Sequence, residues 1–138
     1  MANTLYDFAR QRFLEAQINW MTDTIKVILV DTSAYTPQTS VHQYLSDISS
    51  SARIAGPVTL TAKATVGGAA DGADVTFTSV SGPSIEAIVI YVDTGTESTS
   101  PLIAYIDTAT GLPITPNGGD IAPRSVIAAN NGAFQAAA

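Results

Sequence analysis

The chain has 138 residues, 46% of them hydrophobic and only 13% charged, with twelve acids against six bases and a formal net charge of −6. Such a composition predicts a packed globule rather than disorder and makes a poor phosphate-neutralising surface, so nucleic acid is not an expected partner. There is no cysteine, which removes disulfides, thiolate metal sites and cysteine nucleophiles.

One domain is expected over residues 1–138. Its parts are an N-terminal helix over 4–17, a β domain over 24–121 and a C-terminal tail over 122–138. In the helix, Leu5, Phe8, Ala9, Phe13 and Ala16 recur every three to four residues, with Asp7, Arg10, Gln11 and Glu15 mostly off that stripe. Thr4 followed by Asp7 is a capping pair, and an acid in the first turn suits the helix dipole. The charges at Asp7, Arg10 and Arg12 leave no h-region, and the longest apolar runs, "IVIYV" and "LIAYI", are too short to span a bilayer. The expectation is a soluble protein, made and used without export and without a membrane partner.

After "INWMTD" the run "TIKVILVD" reads as a strand. Residues 32–56 are irregular, and "VHQYLSDISSS" holds one short helical turn. From Pro57 the period becomes two, with Val58, Leu60, Ala62, Ala64 and Val66 on one side of a half-buried strand. "GGAADG" is a turn and "DVTFTSV" alternates again. "SIEAIVIYVD" is apolar almost throughout, as expected of a strand covered on both faces. "LIAYID" and "LPIT" follow, with a last strand near 121–128. Short β segments between Gly, Pro, Thr and Ser turns predict a mainly β fold, an antiparallel β-sandwich or jelly-roll-like domain carrying the N-terminal helix.

Three strands break on Asp-Thr: Asp31, Asp93 and Asp107. Asp-Thr-Ser and Asp-Thr-Gly also carry the catalytic carboxylate of aspartic proteases, which need two such groups sharing a proton. Asp93 comes too late in the chain for that architecture, and neither loop is followed by the apolar pair and glycine that would brace it. A carboxylate that caps its own turn accounts for all three. His42 is the sole histidine, in the polar stretch "SVHQYL", and reads as a solvated loop residue. Asp71 with Asp74 is turn chemistry rather than a metal site, and "VGGAADG" and "NGGD" lack the lysine and helix of a phosphate loop. A non-enzymatic domain without cofactor or metal is the reading these residues support.

Two stretches resemble a family of small structural proteins encoded by tailed bacteriophages. They are "LYDFARQRFLEAQINWMTDTIKVILVDTSAYTP" and "PSIEAIVIYVDTGTESTSPLIAYIDTATGLPITPNGGDI". The similarity runs from about residue 4 to 121 with a looser middle. The family is defined by overall pattern and not by a catalytic residue. The resemblance implies a capsid cement or decoration protein in the virion, on the capsid surface, made in the host bacterial cytoplasm. It also implies the major capsid protein as partner and self-association as a homodimer or trimer. A neck or tail component, or a carbohydrate-binding β module on the virion surface, is the alternative. After "GGDI" the chain departs from the family, with Pro123 and an alanine-rich end. Candidate contact residues are Leu5, Phe8, Arg12, Phe13, Trp20, Arg124 and Phe134.

Overall fold

A computed structural model describes residues 4–66, 69–71, 76–107, 113–121, 126–130 and 133–137. The fold is mainly β, with one N-terminal helix. In chain order the elements are β1 (Thr4–Leu5), α1 (Asp7–Leu14), β2 (Ile25–Val30), β3 (Arg53–Thr59), β4 (Ala64–Val66), β5 (Ala69–Asp71), β6 (Ala87–Val92), β7 (Leu102–Ile106), β8 (Val126–Asn130) and β9 (Ala133–Ala137). The main sheet is antiparallel in the order β1-β7-β6-β2-β3, and β4–β5 and β8–β9 form separate hairpins.

The centre of the sheet follows directly from the sequence. "IKVILV", "AIVIYV" and "LIAYI" are rich in β-branched and aromatic residues, which fit a pleated, packed surface. By register, Ile25, Val27 and Leu29 share one face with Val92, Ile90 and Ile88, while Ile28 and Val30 share the other with Val89 and Ala87. Every residue of β6 and β7 is buried, and in β2 only Lys26 is not. Both faces are therefore covered, as the unbroken apolar run in β6 predicts. A large aliphatic side chain moved fully out of water contributes about 1.5–3 kcal/mol, so these three strands dominate the core.

The helix is shorter than its periodicity suggests. Thr4 and Leu5 pair with Tyr105 and Ala104 as an edge strand, and the Tyr6 N–H donates to the Ile103 carbonyl at 3.0 Å. Tyr6 stays extended as the N-cap, with no side-chain cap, and the Asp7 N–H goes to the Thr39 carbonyl at 2.8 Å. The expected Thr4–Asp7 capping pair does not form, because β7 holds residue 4 in the sheet. At the other end Ala16 takes φ 57°, and the Gln17 N–H returns to the Arg12 carbonyl at 2.8 Å. That is a left-handed helix stop made without glycine.

Two further boundaries move. The strand expected from Pro57 to Val66 is two strands: β3 starts earlier, at Arg53, and Ala62 at φ 51° separates it from β4. Residues 45–52 hold two short 3-10 turns, Leu45–Asp47 and Ser50–Ala52, where one was expected. Phe77 and Ile85 make single bridges to Ile121 and Ile114. In the tail, β8 and β9 pair from Val126↔Ala137 to Asn130↔Ala133.

Candidate partner-contact surface

Asp31 and Asp93 use their carboxylates to hold their own turns. Asp31 accepts the Ser33 N–H at 2.9 Å and the Ser33 hydroxyl at 2.7 Å. These two bonds, led by the hydroxyl, hold its carboxyl below the usual range. Asp93 meets the Lys26 ammonium at 2.9 Å and accepts the Gly95 N–H at 2.9 Å, and Lys26 followed by Gly95 lowers its carboxyl too. β2 and β6 run antiparallel, with Ile25 opposite Val92 and Val30 opposite Ala87. Asp31 and Asp93 therefore sit at opposite ends of the sheet, roughly 20 Å apart at about 3.3 Å per residue. They cannot share a proton within one chain. Asp107 follows β7 and lines a hollow of about 480 Å³ with Thr32, Glu86 and Tyr105.

His42 is not a solvated loop residue. Its Nδ1 accepts the Gln38 N–H at 3.3 Å and lies 3.0 Å from the Tyr35 hydroxyl, and the two rings stack with centroids 5.4 Å apart. An Nδ1 that accepts from a backbone N–H carries no proton, so the Tyr35 hydroxyl donates to it. Tyr35 in turn lies 2.6 Å from the buried Tyr6 hydroxyl, which donates to it. Burial pushes the Tyr35 phenol up to about 12 and the Tyr6 phenol higher still, with Tyr35 adding to the latter. Both tyrosines stay neutral, and the network ties the 35–44 loop to the start of α1.

That loop meets α1 again at Arg12. The guanidinium Nη2 donates to Gln43 Oε1 at 3.1 Å and to the Tyr44 hydroxyl at 2.9 Å. Its central carbon lies 4.9 Å from the Tyr44 ring centroid and 6.0 Å from that of Phe8. The loop itself is fixed to the sheet by Leu102 N–H to the Gln43 carbonyl at 2.8 Å and Leu45 N–H to the Ser100 carbonyl at 2.9 Å.

Of the sequence-predicted contact residues, Phe8 and Arg12 are brought together, half-buried, and Phe13 is half-buried against the core. Leu5 and Trp20 belong to the chain's own core, at 3% and 5% exposure, and present no surface to a partner. Phe134 stands opposite Ala129 in the β8–β9 hairpin, and Arg124 lies outside the described residues. Periodicity alone missed Leu14 and Val41, which are 89% and 61% exposed. Leu14 falls off the apolar stripe of α1, which was the available signal. Gln43 and Tyr44 gave none, since their roles depend on a partner some thirty residues upstream.

Comparison with protein-family models and with curated proteins returns no match for this chain. Among the described residues no helix is long and apolar enough to cross a membrane. No group of three His, Asp or Glu among them could hold a metal ion.

Proposed function

We propose that this chain is a non-enzymatic structural protein of a tailed-phage virion, a cement protein that binds the outside of the capsid shell and reinforces it. The observation that carries this reading is where the family-like residues fall. The stretches 5–37 and 83–121 contain α1, β2, β6 and β7, the centre of the sheet and the helix beside it. A resemblance concentrated in the scaffold suits a family defined by architecture rather than by a reactive site. The local use of Asp31, Asp93 and His42 supports the same view, since each is engaged in holding a turn or loop. The reading also takes the β4–β5 and β8–β9 hairpins as a second layer over the main sheet, the sandwich or jelly-roll arrangement expected from sequence.

Attachment by strand addition at the β3 edge fits this sheet poorly. β3 forms one edge of the order β1-β7-β6-β2-β3, and it carries Pro57, which has no N–H to give, and register shifts against β2. Side-chain contacts repeated at many equivalent lattice sites are the better mechanism, because avidity turns weak single contacts into firm attachment. A homodimer or trimer would let one patch serve more than once.

The test is copy number and heat. A cement protein occurs at every equivalent lattice position of purified particles, whereas a neck or tail component is confined to the few copies of a single ring. Particles stripped of it are expected to rupture at lower temperature than decorated ones, because a ligand of the intact lattice stabilises it by mass action. Equal rupture temperatures, or a stoichiometry of one ring, would move the neck or tail reading ahead.

A further inference from the structure

The hollow beside Asp107 stands at one end of the main sheet, where β2 and β7 leave it and β6 enters. Thr32 lies two residues past β2, Glu86 immediately before β6 and Asp107 immediately after β7. Among its lining residues Tyr35 and Tyr105 are buried, while Thr36 and Pro113 are exposed and leave it open to solvent. Its volume of about 480 Å³ falls within the range of small-ligand sites, about 300–1,000 Å³.

Two of the lining groups are already positioned for a ligand. Glu86 Oε1 accepts the Thr32 N–H and the Thr32 hydroxyl, both at 3.0 Å, and Oε2 accepts the Ser84 hydroxyl. Three neutral donors hold this carboxylate in place, and one acceptor site remains on Oε2. Tyr105 is 3% exposed, and among the described residues its hydroxyl has no hydrogen-bond partner. Burial pushes its phenol up to about 12, with Asp107 and then Glu86 adding to the rise. The hydroxyl therefore keeps its proton and lies near both carboxylates. A buried hydroxyl with no partner in its own chain is met by whatever occupies the hollow it lines.

The chemistry of the lining decides the class of ligand. It consists of carboxylates, hydroxyls, phenols and proline rings, and the described lining holds no Lys, Arg, His, Asn or Gln. Acceptors outnumber donors, so an anion finds no counter-charge there and a neutral polar ligand finds few N–H groups. An ammonium or guanidinium group has three or five N–H donors and no acceptor, and its bonds to carboxylates are charge-assisted. Pro37 and Pro113 offer apolar surface to an aliphatic stem behind such a head. The hollow at the other end of the sheet, about 400 Å³, is different: Asp93 and Glu97 are matched there by Lys26 and Arg53. The net charge of −6 also favours the approach of a cation.

We propose that this hollow binds the ammonium or guanidinium head of an aliphatic cation, received by Glu86, Asp107 and the Tyr105 hydroxyl. A free amine and the side chain of a lysine or arginine share that chemistry. The site stands independently of the cement reading.

The experiment is nuclear magnetic resonance of the isotope-labelled full chain at a fixed ionic strength of about 0.1 M. Propylguanidinium and butylammonium are expected to shift the amide signals of Thr32, Glu86 and Asp107 in a saturable way. Tetramethylammonium has the same charge and no N–H, and is expected to bind about tenfold more weakly or not at all. Glu86→Gln is expected to weaken both probes about tenfold. Tyr105→Phe removes a hydroxyl that bonds to nothing in the free chain, so it should weaken the probes about threefold or more without lowering the thermal midpoint. It serves if Glu86→Gln fails to fold. N-acetyl-arginine methylamide against agmatine separates the sources: tighter binding of the first points to a protein side chain, of the second to a free amine, and either supports the site. Absence of saturable shifts, equal binding of tetramethylammonium, or wild-type affinity in a folded Tyr105→Phe chain would overturn it.

Discussion

Gly56 and Gly95 share a backbone conformation and differ in what surrounds them, so the same substitution at each separates strain from collision. Their φ angles are +96° and +89°, a region where an L side chain costs roughly 1–2 kcal/mol. Replacing glycine by alanine also narrows the unfolded ensemble, which offsets about 0.4–1 kcal/mol of that loss. At Gly95 a Cβ meets nothing within 4 Å, so Gly95→Ala is expected to cost only the remainder, about 0–1.5 kcal/mol. At Gly56 the Cβ would stand 2.8 Å from the Val27 carbonyl oxygen, 3.0 Å from Phe77 Cε1 and 3.3 Å from Ile28 Cα. The phenyl ring can shift, but two of the three contacts are backbone of β2, beside the centre of the sheet. Overpacking of that kind adds about 1–3 kcal/mol, which places Gly56→Ala near 1–4.5 kcal/mol in total. Urea unfolding of both variants, followed by far-ultraviolet circular dichroism, measures the difference. If the two losses agree within about 0.5 kcal/mol, the close approach of β3 to β2 at Gly56 does not exist in solution.

Phe13 is half-buried rather than enclosed, so Phe13→Ala is expected to cost about 1–3 kcal/mol, below the 3–5 of a fully buried ring; a loss above 4 would show a tighter pocket than this one. Asp31 and Asp93 both have carboxyls depressed in the folded state, so they bind protons less readily folded than unfolded. Their contribution is full above the unfolded value of 3.8 and fades as pH falls through the depressed folded values. Urea midpoints should therefore hold level from neutral pH to about 5 and decline below about 4, less steeply in Asp93→Asn. A wild-type midpoint that is unchanged down to about pH 2 would contradict both turn assignments.

What could be read from the sequence follows from the range over which each feature is decided. β2, β6 and β7 were legible because "IKVILV", "AIVIYV" and "LIAYI" are strands under any packing that covers them. The start of α1 was not, since Leu5 fits a helical stripe as well as an edge strand. Pairing with Ala104, a hundred residues away, decides between the two. The start of β3 was hidden because residues 53–56 read as part of an irregular stretch, and they are strand only because β2 lies beside them. The Asp31 and Asp93 turns were legible because their donors, Ser33 and Gly95, are two residues away. The state of Arg12 was not, as it depends on Gln43 and Tyr44 arriving without a carboxylate. His42 was misread for the same reason, its partner Tyr35 being itself buried by the sheet.

The strand order also governs how the chain can be made. β2 lies between β3 and β6, and its Ile25 pairs with Val92. On a ribosome adding about 5–20 residues per second, β2 leaves the tunnel several seconds before β6 exists to cover it. During that interval "IKVILV" has only β3 as a neighbour, and one of its edges is open to any nascent strand nearby. At high expression the chain would thus meet its greatest aggregation hazard during synthesis and not after folding. Slower initiation, or a chaperone that holds the first sixty residues, should raise soluble yield more than any substitution that stabilises the finished fold.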